Sequence, residues 1–274
     1  MNKVPYFFSN LTYWRRFNRL VFGKELYCPS CSAADRISKL QENYKLRYLW
    51  CKYCRKKYRY SSYRAGLFYS TKLSSKQLYQ LIWCYLNKKS VDTTRNITRL
   101  SYPTIERWVA RFRDHLPETD VGKLTGLVQM DESFFGRIRH KQDQVIVVGA
   151  IEAESGKIKL ELAPNRNSKT LNRFIDSHIS TRATVVTDKW RAYDEVSMFP
   201  REHLSVNHSN KGEFRFSNRI EGLWSEIKKH IRRMYQKILT NKLQPILNEW
   251  QERHNNPRLF ESTETFANYL FQIS

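Results

Sequence analysis

Apolar positions along this chain recur first at helical and then at strand spacing. Between residues 74 and 116 the period is helical. Ser74 or Ser75 caps "SKQLYQLIWCYLN", a second short helix covers "VDTTRNITRL", and Ser101 precedes "YPTIERWVARFRDHL", where Ile105, Trp108, Val109 and Phe112 form an apolar stripe. "LPETDVGKLTG" has the proline and glycine punctuation of a linker, and strand-like runs follow it. "GLVQMDESFFGR" reads as a strand ending near Asp131, and "QVIVVGAIEA" and "GKIKLELAP" are two more, joined by the turn "ESG". "SKTLNRFIDSHI" is a helix with Ser168 as its cap, "ATVVTD" is a strand ending on Asp188, and a short "LSVNHS" follows. "SNRIEGLWSEIKKHIRRMY" is then a strongly amphipathic helix. At about 100° per residue, Ile220, Leu223, Trp224, Ile227, Ile231 and Met234 share one face, while Asn218, Gly222, Ser225, Lys229 and Arg232 point away. Glu221 and Lys228 lie on one border between the faces. "LTNKLQPILNEWQERHNN" and "ESTETFANYLFQI" close the chain as helices, and no internal repeat or low-complexity segment interrupts it.

Cysteine spacing adds a further unit. Cys28-x2-Cys31 and Cys51-x2-Cys54 are separated by 19 residues, the spacing of a four-cysteine zinc ribbon holding one structural Zn²⁺. Each Cys-x2-Cys places two thiolates on a tight knuckle, and two knuckles close a tetrahedron. Between them Tyr44, Leu46, Tyr48 and Trp50 alternate as β structure does. "CRKKYRY" then interleaves Arg55, Lys56, Lys57 and Arg59 with aromatics, which suits phosphate contact with base or sugar packing; a solvated edge strand is the alternative. Cys84, among apolar neighbours, reads as core.

The order strand, strand, strand, helix, strand, helix is that of a ribonuclease H-like α/β domain. The expected architecture is therefore a multidomain α/β chain: an N-terminal arm over 1–24, a zinc ribbon over 25–66, a helical DNA-binding region over 67–120, a ribonuclease H-like mixed-sheet catalytic domain over 121–240 and C-terminal helices over 241–274.

Charge narrows the partner. The chain has 48 Lys and Arg against 26 Asp and Glu, a net charge of +22. The first 120 residues hold 24 basic and 8 acidic residues and the remainder 24 and 18, so the polyanion-facing field lies in the N-terminal part. Double-stranded DNA fits this field, with the helices of residues 74 to 116 as a helix-turn-helix whose last member exposes Arg107, Arg111 and Arg113 to the major groove; an ordinary helical bundle with a basic outside is the alternative. No run approaches the roughly 18 to 20 apolar residues of a membrane span, and no secretory signal is evident, so a membrane partner is excluded and a cytoplasmic (nucleoid) or, in a eukaryotic host, nuclear location is expected.

The chemistry rests on three acids. Asp131 and Asp188, 57 residues on, end two strands that can be sheet neighbours, and Glu221, 33 residues further, opens the following helix. Carboxylates held together repel unless cations lie between them, and hard oxygen ligands suit Mg²⁺ or Mn²⁺. Two ions about 4 Å apart would serve in-line phosphodiester displacement. Glu132 alternates to the other side of its strand and Asp143 lies in the polar turn "RHKQDQ", so both are set aside. His208 in "VNHS" has two readings, a donor near the scissile phosphate or a structural histidine.

The series "MDESFFGR", "VVGAIE", "VVTDKWRAY", "VNHS" and "NRIEGLWSEIKK", behind a four-cysteine ribbon and "RAGLFYSTKL", resembles DDE transposases of the Merlin type and the related bacterial insertion-sequence enzymes, over roughly residues 25 to 240. The resemblance implies a ribonuclease H-like core, recognition of terminal inverted repeats, metal-dependent cleavage of DNA ends and joining of the 3′-hydroxyl to target DNA. It also implies work as a dimer or larger assembly, because two ends must reach one target. By position Asp131 and Asp188 match the first two acids and Glu221 the third. Some relatives use an asparagine with a downstream lysine there, matching Asn218 and Lys228, so the choice between Glu221 and Asn218 stays open. Lys228 either binds a DNA phosphate, as Lys229 would, or neutralises Glu221. Leu67 departs from a Gly-Thr-x-Phe motif of many relatives without touching a proposed ligand. The rival expectations are a structure-specific nuclease without strand transfer and a zinc-dependent DNA-binding regulator derived from a transposase.

Overall fold

The computed structural model describes residues 4–22, 28, 30–33, 37–42, 47–60, 63, 66–69, 71–136, 144–188, 200–206, 218–235 and 242–272. Its elements run α1 (Asn10–Phe22), β1 (Ile37–Glu42), β2 (Arg47–Cys51), β3 (Lys56–Tyr60), α2 (Ser75–Leu86), α3 (Val91–Thr98), α4 (Tyr102–Asp114), β4 (Leu127–Phe135), β5 (Val145–Glu152), β6 (Ile158–Ala163), α5 (Ser168–His178), β7 (Thr184–Asp188), β8 (Glu202–Val206), α6 (Asn218–Tyr235), α7 (Leu243–Asn255) and α8 (Thr263–Gln272). They form two compact units, Met1–His115 with Arg258–Ser274, and Leu116–Pro257. No helix among the described residues is long and apolar enough to cross a membrane.

In the first unit, the segment expected as an arm contains α1. Tyr13, Trp14 and Phe17 recur at one helical face and are almost wholly buried, and the Ser9 hydroxyl accepts from the Thr12 amide at 3.2 Å, capping the helix start. The strands form an antiparallel sheet in the order β1-β2-β3. On β2 the buried side chain is Leu49, while Tyr48 and Trp50 are half-buried. The alternation read from the aromatics therefore marks the outer face, because Leu49 shares its side of the strand with Cys51. α2 begins at Ser74, whose hydroxyl accepts from the Gln77 amide while the Gln77 side chain accepts from the Ser74 amide. Between α3 and α4 the chain turns at Arg99, in the left-handed region at φ 59°. The apolar stripe of α4, with Ile105, Trp108, Val109 and Phe112, is buried. Phe271 of α8 packs 4.9 Å from Phe17 and 4.4 Å from Phe68 between ring centroids. Cys84 is core, as expected, and burial pushes its thiol up to about 11.

In the second unit a five-stranded mixed sheet has the order β6-β5-β4-β7-β8, with β4, β5 and β6 antiparallel and β7 parallel to both β4 and β8. The mixed sheet, the strand–strand–strand–helix–strand order along the chain and the adjacency of β4 and β7 are as the sequence predicted. Neighbouring residues of β5 serve opposite faces: Val148 and Ala150 pack with Leu171, Phe174 and Ile175 of α5, whereas Val147 and Ile151 pack with Ile220, Trp224 and Ile227 of α6 and Trp250 of α7. Each buried Val, Leu, Ile or Phe among these stabilises by about 1.5–3 kcal/mol before entropy is counted. β4 does not stop near Asp131. It continues to Phe135, because β5 keeps pairing with it from Glu132↔Val148 through Phe135↔Val145. The cap of α5 is Asn167 rather than Ser168, its side chain accepting from the Thr170 amide at 2.9 Å. On α7, Asn255 accepts from the Ile158 amide and donates to the Ile158 carbonyl, and Gln251 accepts from the Leu160 amide. Glu252 accepts from both the amide and the hydroxyl of Thr119.

Candidate metal centres and nucleic-acid contacts

Sheet register brings the two aspartates together. β4 and β7 pair as Leu127↔Thr184, Val128↔Val185 and Gln129↔Val186. The same offset carried forward sets Asp131 beside Asp188, on neighbouring parallel strands about 4.8 Å apart. Both lie on the α6 side, since Val128, Met130 and Val185 face α5. Asp131 is half-buried, and its carboxyl is held above the usual range by burial first, then by the charges of Asp188 and Glu221; the Glu132 amide and Trp224 oppose the rise. The charges of Asp188 and Glu221 thus reach Asp131, although the ligand atoms of the three acids do not converge as those of the cysteines below do. Glu132 points to the opposite side, as the alternation required, with a buried carboxylate oxygen. Asp143 and His208 lie outside the described residues.

The position of α6 follows from β4. The Gln129 side chain, 2% exposed, accepts from the backbone amides of Arg219 and Ile220 at 3.0 and 3.1 Å. A strand residue thereby takes the place of a helix cap. Two positions along the same face, Asp131 Oδ2 accepts from Trp224 Nε1 at 3.0 Å. Two strand residues span about 6.7 Å and four helix residues about 6 Å, so one pair of contacts fits both elements. Trp224 fits because Gly149, the β5 partner of Asp131, has no side chain: a Cβ there would stand 2.5 Å from Trp224 Cη2. The sequence reading missed Gln129 and Gly149. The available signal was a polar residue inside the apolar run "GLVQM", two positions before Asp131.

Glu221 is half-buried and Asn218, at the first helical position, is exposed. The Lys228 ammonium lies 5.5 Å from the centroid of the Phe135 ring; burial lowers its pKa, and the carboxylate that counters this is Asp131. Asp131 is thus one carboxylate whose charge reaches Lys228. Lys229 is exposed.

Among the described residues one group of metal-ligating side chains converges until all its ligand atoms lie within 4.8 Å: Cys28, Cys31, Cys51 and Cys54. None is in a disulfide. Cys28 Sγ stands 4.0 Å from Cys54 Sγ, and Cys31 Sγ 3.7 Å from Cys51 Sγ. A metal–sulfur bond of about 2.3 Å makes a tetrahedral edge of about 3.8 Å, so the cluster fits such an ion and is consistent with a zinc ribbon. Each knuckle directs an amide at its first sulfur, Ser30 to Cys28 and Cys54 to Cys51, both at 3.4 Å. Burial raises the Cys28 thiol, but the amides of Ser30 and Cys31 outweigh it and bring it down to about 6. Cys54 is pushed up to about 12, by Cys31 first and then by burial. One sulfur ionises readily while its neighbour resists, the condition that a cation relieves. The residue after each second cysteine, Ser32 and Arg55, is left-handed, at φ 56° and 51°.

The other cationic candidates divide. Arg55, Lys56 and Lys57 are exposed, with the Lys57 ammonium 4.2 Å from the centroid of the Tyr48 ring, and the Arg59 side chain lies outside the described residues. On α4 Arg107 is exposed. Arg111, expected to be exposed, is half-buried: it donates to the Leu67 carbonyl at 2.8 Å and lies over Trp108 at 4.7 Å. Arg113 is half-buried as well.

Residues 123–255 match the family model of the ISXO2-like transposase domain. No curated protein matches the chain. Solved structures similar to it include the HTLV-2 integrase catalytic core domain in complex with magnesium (14% identity over 49% of this chain and 87% of that one, TM-score 0.33) and the catalytic core domain of BIV integrase (12%, 46% and 80%, TM-score 0.32). A third is the simian T-cell lymphotropic virus intasome in complex with PP2A regulatory subunit B56 gamma (13%, 67% and 74%, TM-score 0.35).

Proposed function

We propose, on the premise that residues 123–255 match the ISXO2-like transposase domain, that the chain is a DDE-type DNA transposase. It binds terminal inverted repeats, hydrolyses the phosphodiester at transposon ends and joins the resulting 3′-hydroxyl to target DNA. The observation that carries the reading is the sheet register that sets Asp131 beside Asp188, on the face where Gln129 anchors the helix of Glu221.

In this reading Asp131, Asp188 and Glu221 hold two Mg²⁺ or Mn²⁺ ions, with Asn218 the alternative third ligand. When bound, the ions would activate a water or 3′-hydroxyl and stabilise the leaving oxygen. Lys228 and Lys229 offer cations to the DNA phosphates nearby. Cys28, Cys31, Cys51 and Cys54 hold one structural Zn²⁺. Arg55, Lys56, Lys57, Arg59 and Arg107 contact DNA, whereas Arg111 supports the α4 fold through Leu67 and Trp108. Two copies or more act together on paired ends, in the cytoplasm of a bacterial host or the nucleus of a eukaryotic one.

The test is a strand-transfer assay with labelled element ends, supercoiled target and Mn²⁺ or Mg²⁺, comparing the parent with Asp188→Asn and Glu221→Gln. Joined products lost in both variants support the reading. Products that survive Glu221→Gln move the third role to Asn218. Cleavage without joining would make the protein a nuclease, and binding without cleavage under either ion a regulator.

A further inference from the structure

We infer that Trp224 is a positioning residue for Asp131, and that Gly149 is the vacancy that lets it act. The inference rests on the proposed metal site and adds to it a residue pair outside the acid set. Trp224 is 5% exposed in the apolar cluster beneath α6, where the body of its ring supplies packing. Its polar edge has a more specific target. Nε1 donates to Asp131 Oδ2 at 3.0 Å, and Phe135, on the same face of β4, meets the indole edge to face with centroids 6.1 Å apart. One oxygen of Asp131 is thus held by a donor that neither titrates nor swings.

Gly149 makes the contact possible. It pairs with Asp131 across the β4–β5 ladder, and an added Cβ would stand 2.5 and 2.7 Å from Trp224 Cη2 and Cζ2 and 2.9 Å from Leu160 Cδ2. Its φ is not in the left-handed region, so space and not backbone freedom calls for glycine. The anchor is geometric: a glycine on β5 admits the indole, the indole fixes a carboxylate on β4, and Gln129 holds the same helix one turn earlier. Partners of this kind, behind the ligands themselves, typically change metal affinity by roughly ten- to a hundredfold when removed.

The experiment uses the full chain with its zinc retained. Mn²⁺ binding is followed by electron paramagnetic resonance for the parent, Trp224→Phe, Gly149→Ala and Asp131→Asn, with melting temperature and zinc content alongside. Trp224→Phe keeps most of the apolar volume and loses only the donor, so its Mn²⁺ affinity should fall about tenfold while zinc content is unchanged. Gly149→Ala should weaken binding in the same direction. Mn²⁺ affinity in Trp224→Phe equal to that of the parent overturns the inference, and a parent no better than Asp131→Asn overturns the metal site on which it rests. Should Trp224→Phe fail to fold, the parent labelled with 5-fluorotryptophan decides. The ¹⁹F resonance displaced by Gly149→Ala should shift during a Mg²⁺ titration, and its failure to do so refutes the role.

Discussion

Two sets of potential metal ligands are built by opposite routes in this chain. The four cysteines come as two local pairs, each on a knuckle whose turn fixes both sulfurs, and all their ligand atoms lie within 4.8 Å. The three acids come from β4, β7 and α6, and Asp131 is raised by burial first and then by the charges of the other two. Soft thiolates on a tight turn can be set by a few residues of sequence, whereas carboxylates assembled from distant elements need outside supports. Gln129, Trp224 and Gly149 supply these. A cluster set locally announces itself through spacing, and one set by tertiary structure does not.

The sharpest way to separate the two sets is to remove one member of each. Under the proposed function, Asp188→Asn should lower strand transfer by roughly a thousandfold or more with zinc content unchanged. Cys51→Ser should release the zinc and unfold the ribbon, read by metal analysis and by circular dichroism, because a structural site is part of the folding free energy. Next in size is the support of α6. Gln129→Leu strips the helix start of its acceptor and should cost about 1 kcal/mol in chemical denaturation, together with a loss of turnover that leaves zinc content untouched.

A pH series asks how the acids tolerate their own charge. Because Asp131 is raised, its proton competes with the ion at a higher pH than an ordinary carboxylate's would, and its ionisation without an ion destabilises the fold. Mg²⁺ should therefore raise the melting temperature more at pH 8 than at pH 5, by differential scanning calorimetry. The smallest effect belongs to the knuckle. Arg55→Gly removes a left-handed arginine and should change the stability of the zinc-loaded protein by at most about 1 kcal/mol, while weakening DNA binding in a salt-dependent assay.

The sequence made the order of strands and helices in the second unit legible because apolar runs and turns are local signals, and the amphipathic face of α6 is buried where its period put it. Asp131 and Asp188 could be nominated as sheet neighbours, but the end of β4 was misplaced by four residues, since its continuation depends on β5 pairing and not on its own composition. Arg111 looked like a free cation on a helix face; its engagement with Leu67 and Trp108 needs the folded chain. The burial of α1 was legible in the spacing of Tyr13, Trp14 and Phe17, but Arg15, Arg16 and Arg19 between and beside them give the segment the look of a basic arm. Gln129 lay hidden because an acceptor for a helix 90 residues away leaves no periodic trace.

The contacts of α7 with the border strand β6 bear on how this sheet behaves beside others. An uncovered border strand is a template on which a foreign strand can grow. Gln251 and Asn255, one helical turn apart, occupy the amides of Ile158 and Leu160 and the carbonyl of Ile158 with side-chain amide groups. At those positions β6 offers an incoming chain neither the two amides nor the Ile158 carbonyl, so α7 stands where a foreign strand would have to pair.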